Sequence, residues 1–154
     1  MWGTFYNSGQ SRSGIEAITV HQSLANKFTN LLSKKVFETF NLDDPSHEHA
    51  NYGPIFNSDC LLSLEDTCKD ATSKGGIITT GGFQNTCQKG FGRFFEPTII
   101  ANVNSGMSCV ADQCFGPIVG IQTVDSPGEA SKIMNSNMYG QEAYIFTNDK
   151  TTID

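Results

Sequence analysis

The stretch Ile118-Val-Gly-Ile-Gln-Thr-Val-Asp-Ser-Pro-Gly-Glu129 joins a strand to a helix and decides the fold class of the chain. Its first seven residues are mostly apolar and β-branched, which is typical of a buried strand. Ser126 then caps a helix, Pro127 suits its first turn, and Glu129 is placed to bond back to its start. A strand followed at once by a helix is the repeating unit of α/β proteins.

The same alternation of helix and strand continues outward from this stretch. Apolar residues at Ser23–Phe40 recur every three and four positions, which predicts an amphipathic helix. A second predicted helix, Leu61–Ser73, ends at Gly75-Gly76. We therefore predict one α/β domain over residues 1–154, a mostly parallel sheet flanked by helices. The other predicted elements are strands at Ala17–Val20, Ile77–Thr80 and Ala143–Thr147, an apolar run at Phe94–Val103 interrupted by Pro97, loops at Asn41–Asn51 and Gln84–Gly92, and a last helix reaching Met138.

The charge balance excludes two classes of partner. The 154 residues contain 10 Lys plus Arg and 16 Asp plus Glu, a formal charge of -6. Nucleic acids and anionic membrane surfaces require clustered positive charge, so neither is expected as a partner. Charged residues make up only 17% of the chain, against about 25% in an average domain. We expect such a surface either to rely on amides and hydroxyls for solubility or to be partly covered by a partner protein.

The cysteines and histidines form no metal-binding pattern. Cys60, Cys68, Cys87, Cys109 and Cys114 include no CxxC pair, and the three histidines complete no zinc motif. We expect no metal site, and reduced thiols in a reducing intracellular compartment, with cytoplasm and mitochondrion left open. No run approaches the roughly 18 apolar residues of a membrane span, so membrane insertion is not expected.

Five short segments follow one another across nearly the whole chain. Together, in this order and at this spacing, they resemble the catalytic domain of the aldehyde dehydrogenase superfamily. The resemblance implies a partial catalytic domain of that type. The segments are Trp2–Gln10 with Ser11–Glu16 and Val20-His21; Tyr52–Ile55; Thr79–Gly82 with Gly92–Thr98; Asp112–Pro117; and Met138–Gly140 with Ala143 and Phe146-Thr147.

The resemblance also implies a chemistry. Members of the superfamily oxidise aldehydes with NAD or NADP, using a Cys thiolate as the nucleophile. That nucleophile corresponds to the second residue after Gly9-Gln10, which is Arg12 in this chain. A guanidinium stays protonated and offers no lone pair for attack. Ser13, the next residue, has no neighbouring His or acid in the sequence. We therefore expect no catalytic residue at this position.

The cofactor-binding segment of the superfamily is also altered. Gln113 corresponds to an acidic residue that hydrogen-bonds the nicotinamide ribose, and Phe115 to an aromatic residue near the nicotinamide. For Phe115 the favoured interpretation is a core aromatic residue before a Gly-Pro turn. The sequence contains no GxGxxG loop. We expect no bound cofactor; NAD or NADP is implied by the resemblance alone.

The matched region covers only part of the superfamily's architecture. The dinucleotide-binding domain, with the general-base Glu and the oxyanion-hole Asn, and a C-terminal strand that joins subunits have no counterpart in these residues. We expect a domain truncated at both ends, with exposed sheet edge and apolar surface that other protein subunits cover.

Three hypotheses of function follow. The first is a catalytically inactive aldehyde-dehydrogenase-like protein that serves as a structural or accessory subunit of a larger assembly, and we favour it. The second is NAD(P)-dependent aldehyde oxidation as part of a split or oligomeric enzyme. The third is a small-ligand binder in which Arg12 holds a carboxylate beside Phe115.

Two further groups have reactive side chains. Cys114 is the best surviving thiol outside the nucleophile position, although the favoured interpretation is an inert thiol, because no His or Lys lies beside it. His47 and His49 flank Glu48 in a polar loop, where a solvated loop is favoured over a metal site.

Overall fold

A computed structural model of the protein describes residues 1–86, 90 and 92–152. Cys87 lies outside the described residues, as does part of the predicted Gln84–Gly92 loop.

Strand β6 lies at the centre of the main sheet. It spans Ile118–Val124 and pairs in parallel with β1 (Ala17–His21) on one side and β5 (Thr98–Ala101) on the other. Strand β2 (Ile77–Thr80) is antiparallel to β5 and forms the opposite edge. The order of the described strands is therefore β1-β6-β5-β2, and the predicted mostly parallel α/β sheet is confirmed.

Helix α2 (Gln22–Thr39) covers one face of this sheet. It begins and ends one residue earlier than the predicted helix Ser23–Phe40. Phe28, Leu32 and Val36 recur at helical spacing, as predicted, and pack on the strands. Leu24, Leu31 and Phe37 on the same helix are instead exposed. The His21 Nδ1 accepts a hydrogen bond from the Ser23 N–H and caps the helix. The residues packed on this face are Phe5, Val20, Phe28, Leu32, Val36, Ile99, Val119 and Ile121.

The other face is covered by helix α3 (Ser58–Ser73) and by the short helix α4 (Ser108–Ala111), which the sequence did not predict. The α3 helix begins three residues before the predicted start, because the Asn57 side chain caps it. At its other end Gly75 has φ +96°, and the Gly76 N–H donates to the Ala71 carbonyl, as the glycine stop predicted. The apolar core here includes Leu61, Leu64, Cys68, Phe95, Ile100, Met107 and Ile118.

The strand and helix predicted from the stretch Ile118–Glu129 both form. Helix α5 spans Pro127–Ser136, and the Ser126 Oγ accepts the Glu129 N–H at 3.2 Å. The Glu129 carboxylate reaches back to the Asp125 N–H at 2.8 Å, one residue before the cap. The helix ends at Ser136, two residues short of the predicted Met138.

The apolar run at Phe94–Val103 forms two strands separated at Pro97. Strand β4 (Phe94–Phe95) pairs antiparallel with β3 (Gln84–Asn85), so the predicted loop over 84–92 is wrong at its first two residues. Pro97 has no N–H for a ladder, which explains why the strand is interrupted there. The chain then resumes in β5.

The predicted strand Ala143–Thr147 is wrong. These residues join no strand, and the Phe146 side chain is 92% exposed. A β-branched and aromatic run has strand propensity, but a strand also needs a neighbour to exchange backbone hydrogen bonds. No strand within the described part of the chain supplies one at this position.

The N-terminus contains a short helix that the sequence did not predict, α1 (Trp2–Phe5). None of the described helices is long and apolar enough to cross a bilayer.

Candidate functional site

The segment after α1 makes a left-handed turn. Asn7 and Ser8 have φ of 52° and 57°, and Gly9 has φ +70°. Left-handed backbone is unfavourable for residues that carry a β-carbon, so other contacts must hold it. The Asn7 amide donates to the Gln10 carbonyl at 3.0 Å, and the Ser8 hydroxyl donates to the Gly53 carbonyl at 2.7 Å. The turn is thereby anchored to a segment 45 residues further along the chain.

The Gln10 side chain adds two more links to that segment. Its amide nitrogen donates to the Pro54 carbonyl at 3.1 Å, and its amide oxygen accepts the Phe56 N–H at 2.8 Å. Because both ends of the amide are satisfied, the side chain is held in one orientation. The first two family-like segments are therefore one hydrogen-bonded unit.

Gly9 also touches the fourth family-like segment. A β-carbon on Gly9 would overlap the carbonyl oxygen of Gly116. Only glycine permits both this approach and the positive φ. The loop that leads to Arg12 is thus packed directly against the turn that follows Phe115.

The third family-like segment joins the same cluster through Arg93. Its carbonyl accepts the Ile55 N–H at 2.6 Å, and its guanidinium donates to the Phe56 carbonyl at 3.2 Å. The Thr98 N–H donates to the Pro117 carbonyl at 2.8 Å. Four segments that are far apart in the sequence therefore meet at one end of the sheet.

Arg12 and Ser13 lie on the surface just beyond this cluster, and both are exposed. The residues flanking them form a turn in which the Gly14 N–H donates to the Ser11 carbonyl at 3.3 Å. No hydrogen bond or ion pair joins Arg12 to any residue that the structure describes. Its cationic head is available to solvent or to another molecule.

A groove of about 670 Å³ runs between helix α3 and residues 112–115. Gln113 and Phe115 line it, and the Phe115 side chain is 50% exposed. The interpretation of Phe115 as a core aromatic is therefore wrong, because the buried Gly116 and Pro117 direct the chain into the sheet one residue later. Gln113 and Phe115 thus lie together at one site.

The groove does not fit the whole of a dinucleotide. An exposed amide and an aromatic ring suit a ribose hydroxyl and a flat heterocycle. The lining also contains the carboxylates of Asp59, Asp66, Asp70 and Asp112, and no Lys or Arg among the described residues. Carboxylates repel a pyrophosphate, and the Asn57 side chain already caps the nearby N-terminus of α3. A phosphate-binding site is therefore not formed by the described residues.

Burial makes the thiols beside this groove unreactive, because it raises their pKa values. Burial, with the Glu16 carboxylate nearby, raises the pKa of the Cys114 thiol to about 12. Burial likewise raises the pKa of Cys68 to about 12 and that of Cys109 to about 11. Thiolates, which are the nucleophilic form, are therefore scarce at neutral pH. Cys60, by contrast, is half-buried and lines the groove, which the sequence did not reveal.

Glu16 is a second residue that the sequence did not single out. Burial raises the pKa of its carboxyl, and a hydrogen bond from the Cys114 N–H partly offsets that rise. Its carbonyl accepts the Gly120 N–H at 3.0 Å. Glu16 thus ties the chain after Arg12 to the segment that contains Cys114.

The histidines lie outside this site. His21 caps α2, and its Nε2 is 3.1 Å from the Asp125 carbonyl oxygen. His47 and His49 line a separate, smaller pocket in the loop between α2 and α3. No group of three or more His, Cys, Asp or Glu side chains among the described residues is arranged to hold a metal ion.

Comparison with known proteins identifies the family to which this fold and site belong. The aldehyde dehydrogenase family model matches residues 1–154, so the chain belongs to the aldehyde dehydrogenase family. It is 31% identical over 150 residues to aminoaldehyde dehydrogenase 2, peroxisomal, of Pisum sativum, covering 97% of this chain. It is 33% identical over 146 residues to 3-sulfolactaldehyde dehydrogenase of Priestia aryabhattai, covering 95% of this chain. The chain spans 29% of the length of each of these relatives.

Solved structures agree with this assignment. An aldehyde dehydrogenase from Brucella melitensis biovar abortus 2308 superposes with a TM-score of 0.91 at 26% identity, over 99% of this chain and 30% of that one. A betaine aldehyde dehydrogenase point mutant from Staphylococcus aureus, solved with NAD+, superposes with a TM-score of 0.89 at 27% identity. That match covers 97% of this chain and 30% of the other. The fold is a partial aldehyde dehydrogenase catalytic domain with a mostly parallel sheet, as the resemblance implied.

Proposed function

We propose that this chain is a catalytically inactive member of the aldehyde dehydrogenase family that acts as a structural or accessory subunit of a larger protein assembly. The observation that carries the proposal is Arg12. The loop that leads to it is anchored by the Ser8, Gly9 and Gln10 contacts, and the position that corresponds by resemblance to the family's nucleophile has an exposed guanidinium. The loop therefore has Arg12 where aldehyde oxidation by this family would require a Cys thiol.

Two neighbouring groups, Ser13 and Cys114, do not replace that nucleophile. Ser13 is exposed and has no hydrogen bond to a His or a carboxylate among the described residues, so nothing there activates its hydroxyl. The Cys114 thiol belongs to the adjoining Asp112–Pro117 segment, but burial keeps it protonated. Neither Ser13 nor Cys114 is therefore suited to thioester formation, the step that defines the family's chemistry.

Exposed apolar surface supports a role in contacts with other proteins. The backbone of β1 is at an edge of the described sheet, and edges are natural sites of association. Tyr144, Ile145 and Phe146 are 55%, 63% and 92% exposed in consecutive positions. Large contiguous apolar patches on folded proteins usually mark contact sites. The partners we propose are other protein subunits, with no nucleic acid and no membrane insertion.

The second candidate is NAD(P)-dependent aldehyde oxidation as part of a split or oligomeric aldehyde dehydrogenase. One observation favours it: Gln113 and Phe115 are exposed together on the wall of the groove, where both remain available to a nicotinamide nucleoside. The relatives named above are aldehyde dehydrogenases, which is consistent with this candidate. It requires another residue to replace the missing thiol.

We propose that the protein functions in a reducing intracellular compartment. Cys60, Cys68, Cys109 and Cys114 are all free thiols, which is consistent with such an environment.

The test combines assembly mass and activity on the protein extracted gently from its source. Native mass spectrometry should give a mass well above 16.8 kDa, with other chains at fixed ratios. The same assembly, carrying Arg12→Ala or Cys114→Ala in this chain, should retain whatever NAD(P)-dependent aldehyde oxidation the wild-type assembly shows. Loss of turnover in either variant, with the assembly mass unchanged, would establish the second candidate. A free monomer would overturn the subunit proposal.

A further inference from the structure

The loop between α2 and α3 contains an oriented histidine outside the site described above. Asp43 is 3% exposed, and its Oδ2 lies 2.8 Å from the His47 Nδ1. The Oδ1 of the same carboxylate accepts the Asp44 N–H at 2.7 Å. Because the carboxylate is fixed and accepts from Nδ1, the His47 ring is held with Nε2 as its free nitrogen. This tautomer and orientation are typical of a histidine that binds a metal through Nε2.

A second imidazole lies beside the first. The ring centroids of His47 and His49 are 6.4 Å apart. With metal–nitrogen bonds of about 2.1 Å, two imidazoles on one ion have centroids about 6.5 Å apart when they lie on opposite sides of the ion and about 5 Å apart in a tetrahedral site, so the His47–His49 pair must close by about 1 Å to hold a tetrahedral ion. His49 is exposed, and a change of its side-chain rotamer is the movement by which the proposed site would close.

The backbone that carries both rings is held in place. The His47 N–H donates to the Asp44 carbonyl at 2.9 Å, and the Asn41 amide donates to the His49 carbonyl at 3.2 Å. Both rings line one pocket, together with Ser46 and Glu48. The site is therefore pre-organised on one side and adjustable on the other.

We propose that His47 and His49 bind a divalent transition-metal ion, with Asp43 as the positioning residue for His47. Two imidazoles and no cysteine line the pocket among the described residues, which favours Zn²⁺, Ni²⁺ or Cu²⁺ over softer or harder ions. The site has two protein imidazole ligands, and water completes the coordination. This proposal is independent of the proposed function, because the pocket shares no lining residue with the groove.

The test uses Ni²⁺ and the three histidines of the chain, of which His21 is the internal control. Paramagnetic Ni²⁺ is titrated into the full chain, and the imidazole proton signals are followed by NMR. The His47 and His49 signals should broaden together at substoichiometric Ni²⁺, while those of His21 stay sharp. Alkylation of the accessible thiols beforehand removes competition from sulfur.

Three variants complete the test. His49→Ala should abolish the selective broadening, and its fold should be intact because the exposed ring supports no described hydrogen bond. Asp43→Asn should weaken Ni²⁺ binding about 10- to 100-fold, the usual effect of removing a carboxylate behind a metal-binding histidine. His21→Asn, which retains a capping side chain, should bind as the wild type does. Equal broadening of all three histidines, or undiminished binding in His49→Ala, would overturn the proposal; undiminished binding in Asp43→Asn would overturn the role of Asp43.

Discussion

Gly9 and Gly116 are in backbone contact, although 107 positions separate them in the sequence. Gly9 has φ +70°, and a β-carbon there would overlap the Gly116 carbonyl oxygen. This contact joins the loop before Arg12 to the turn after Phe115, so two segments of the candidate site meet there.

Replacing Gly9 with alanine should destabilise the protein by at least about 2 kcal/mol, because the side chain meets both the positive φ and the Gly116 carbonyl. Urea unfolding followed by circular dichroism measures this. Gly128→Ala is the matched control: Gly128 lies in α5 with nothing within 4 Å of an added β-carbon. That variant should be as stable as the wild type or up to about 1 kcal/mol more stable. Equal unfolding midpoints for the two variants would contradict the contact.

The start of α3 depends on its cap. The Asn57 Oδ1 accepts the Cys60 N–H at 2.7 Å, so Asn57→Ala should cost about 1 kcal/mol of unfolding free energy. Ser58, the next residue, is exposed, and Ser58→Ala should change the stability by less than about 0.5 kcal/mol. A Ser58→Ala variant as destabilised as Asn57→Ala would show that the cap is misassigned.

Two phenylalanines test the contrast between core and surface. Phe95 is 0% exposed and packs in the core with α3, so Phe95→Ala should cost about 3–5 kcal/mol. Phe146 is 92% exposed, and Phe146→Ala in the isolated chain should fall within about 0.5 kcal/mol of the wild type. Thermal unfolding of the two variants side by side is sufficient. A large loss for Phe146→Ala would mean that residues 143–147 pack against the fold.

Stability should fall in alkali because of the buried thiols. The pKa of the Cys114 thiol is raised from 9.0 to about 12 in the folded protein. Between these values the unfolded chain releases the proton and the folded chain keeps it, so the free energy of unfolding decreases as pH rises above about 9. The Cys114 contribution to this slope is at most about 1.4 kcal/mol per pH unit.

Urea unfolding at pH 8, 9 and 10 measures that slope. Cys114→Ala should make it shallower, whereas Ser58→Ala should leave it unchanged. An identical slope in Cys114→Ala and the wild type would show that this thiol titrates normally in the folded state.

The sequence determined most of the local structure of this protein. The spacing of apolar residues located α2 and α3, the Ser126-Pro127 pair located the start of α5, and Gly75-Gly76 located the end of α3, because each depends on hydrogen bonds and packing within a few residues. The resemblance of five segments to aldehyde dehydrogenases identified the family and the partial catalytic domain. It also predicted Arg12, Gln113 and Phe115 as residues of the candidate site.

Other features were decided only by the tertiary structure, because they arise between residues far apart in the chain. The approach of Gly9 to Gly116 and the bonds from Gln10 to the Pro54 segment need the whole sheet in place. Phe115 is exposed because the chain enters the sheet only after it, at the buried Gly116 and Pro117. Residues 143–147 form no strand because strand formation requires a neighbour as well as propensity, and the sequence of a segment specifies only the propensity.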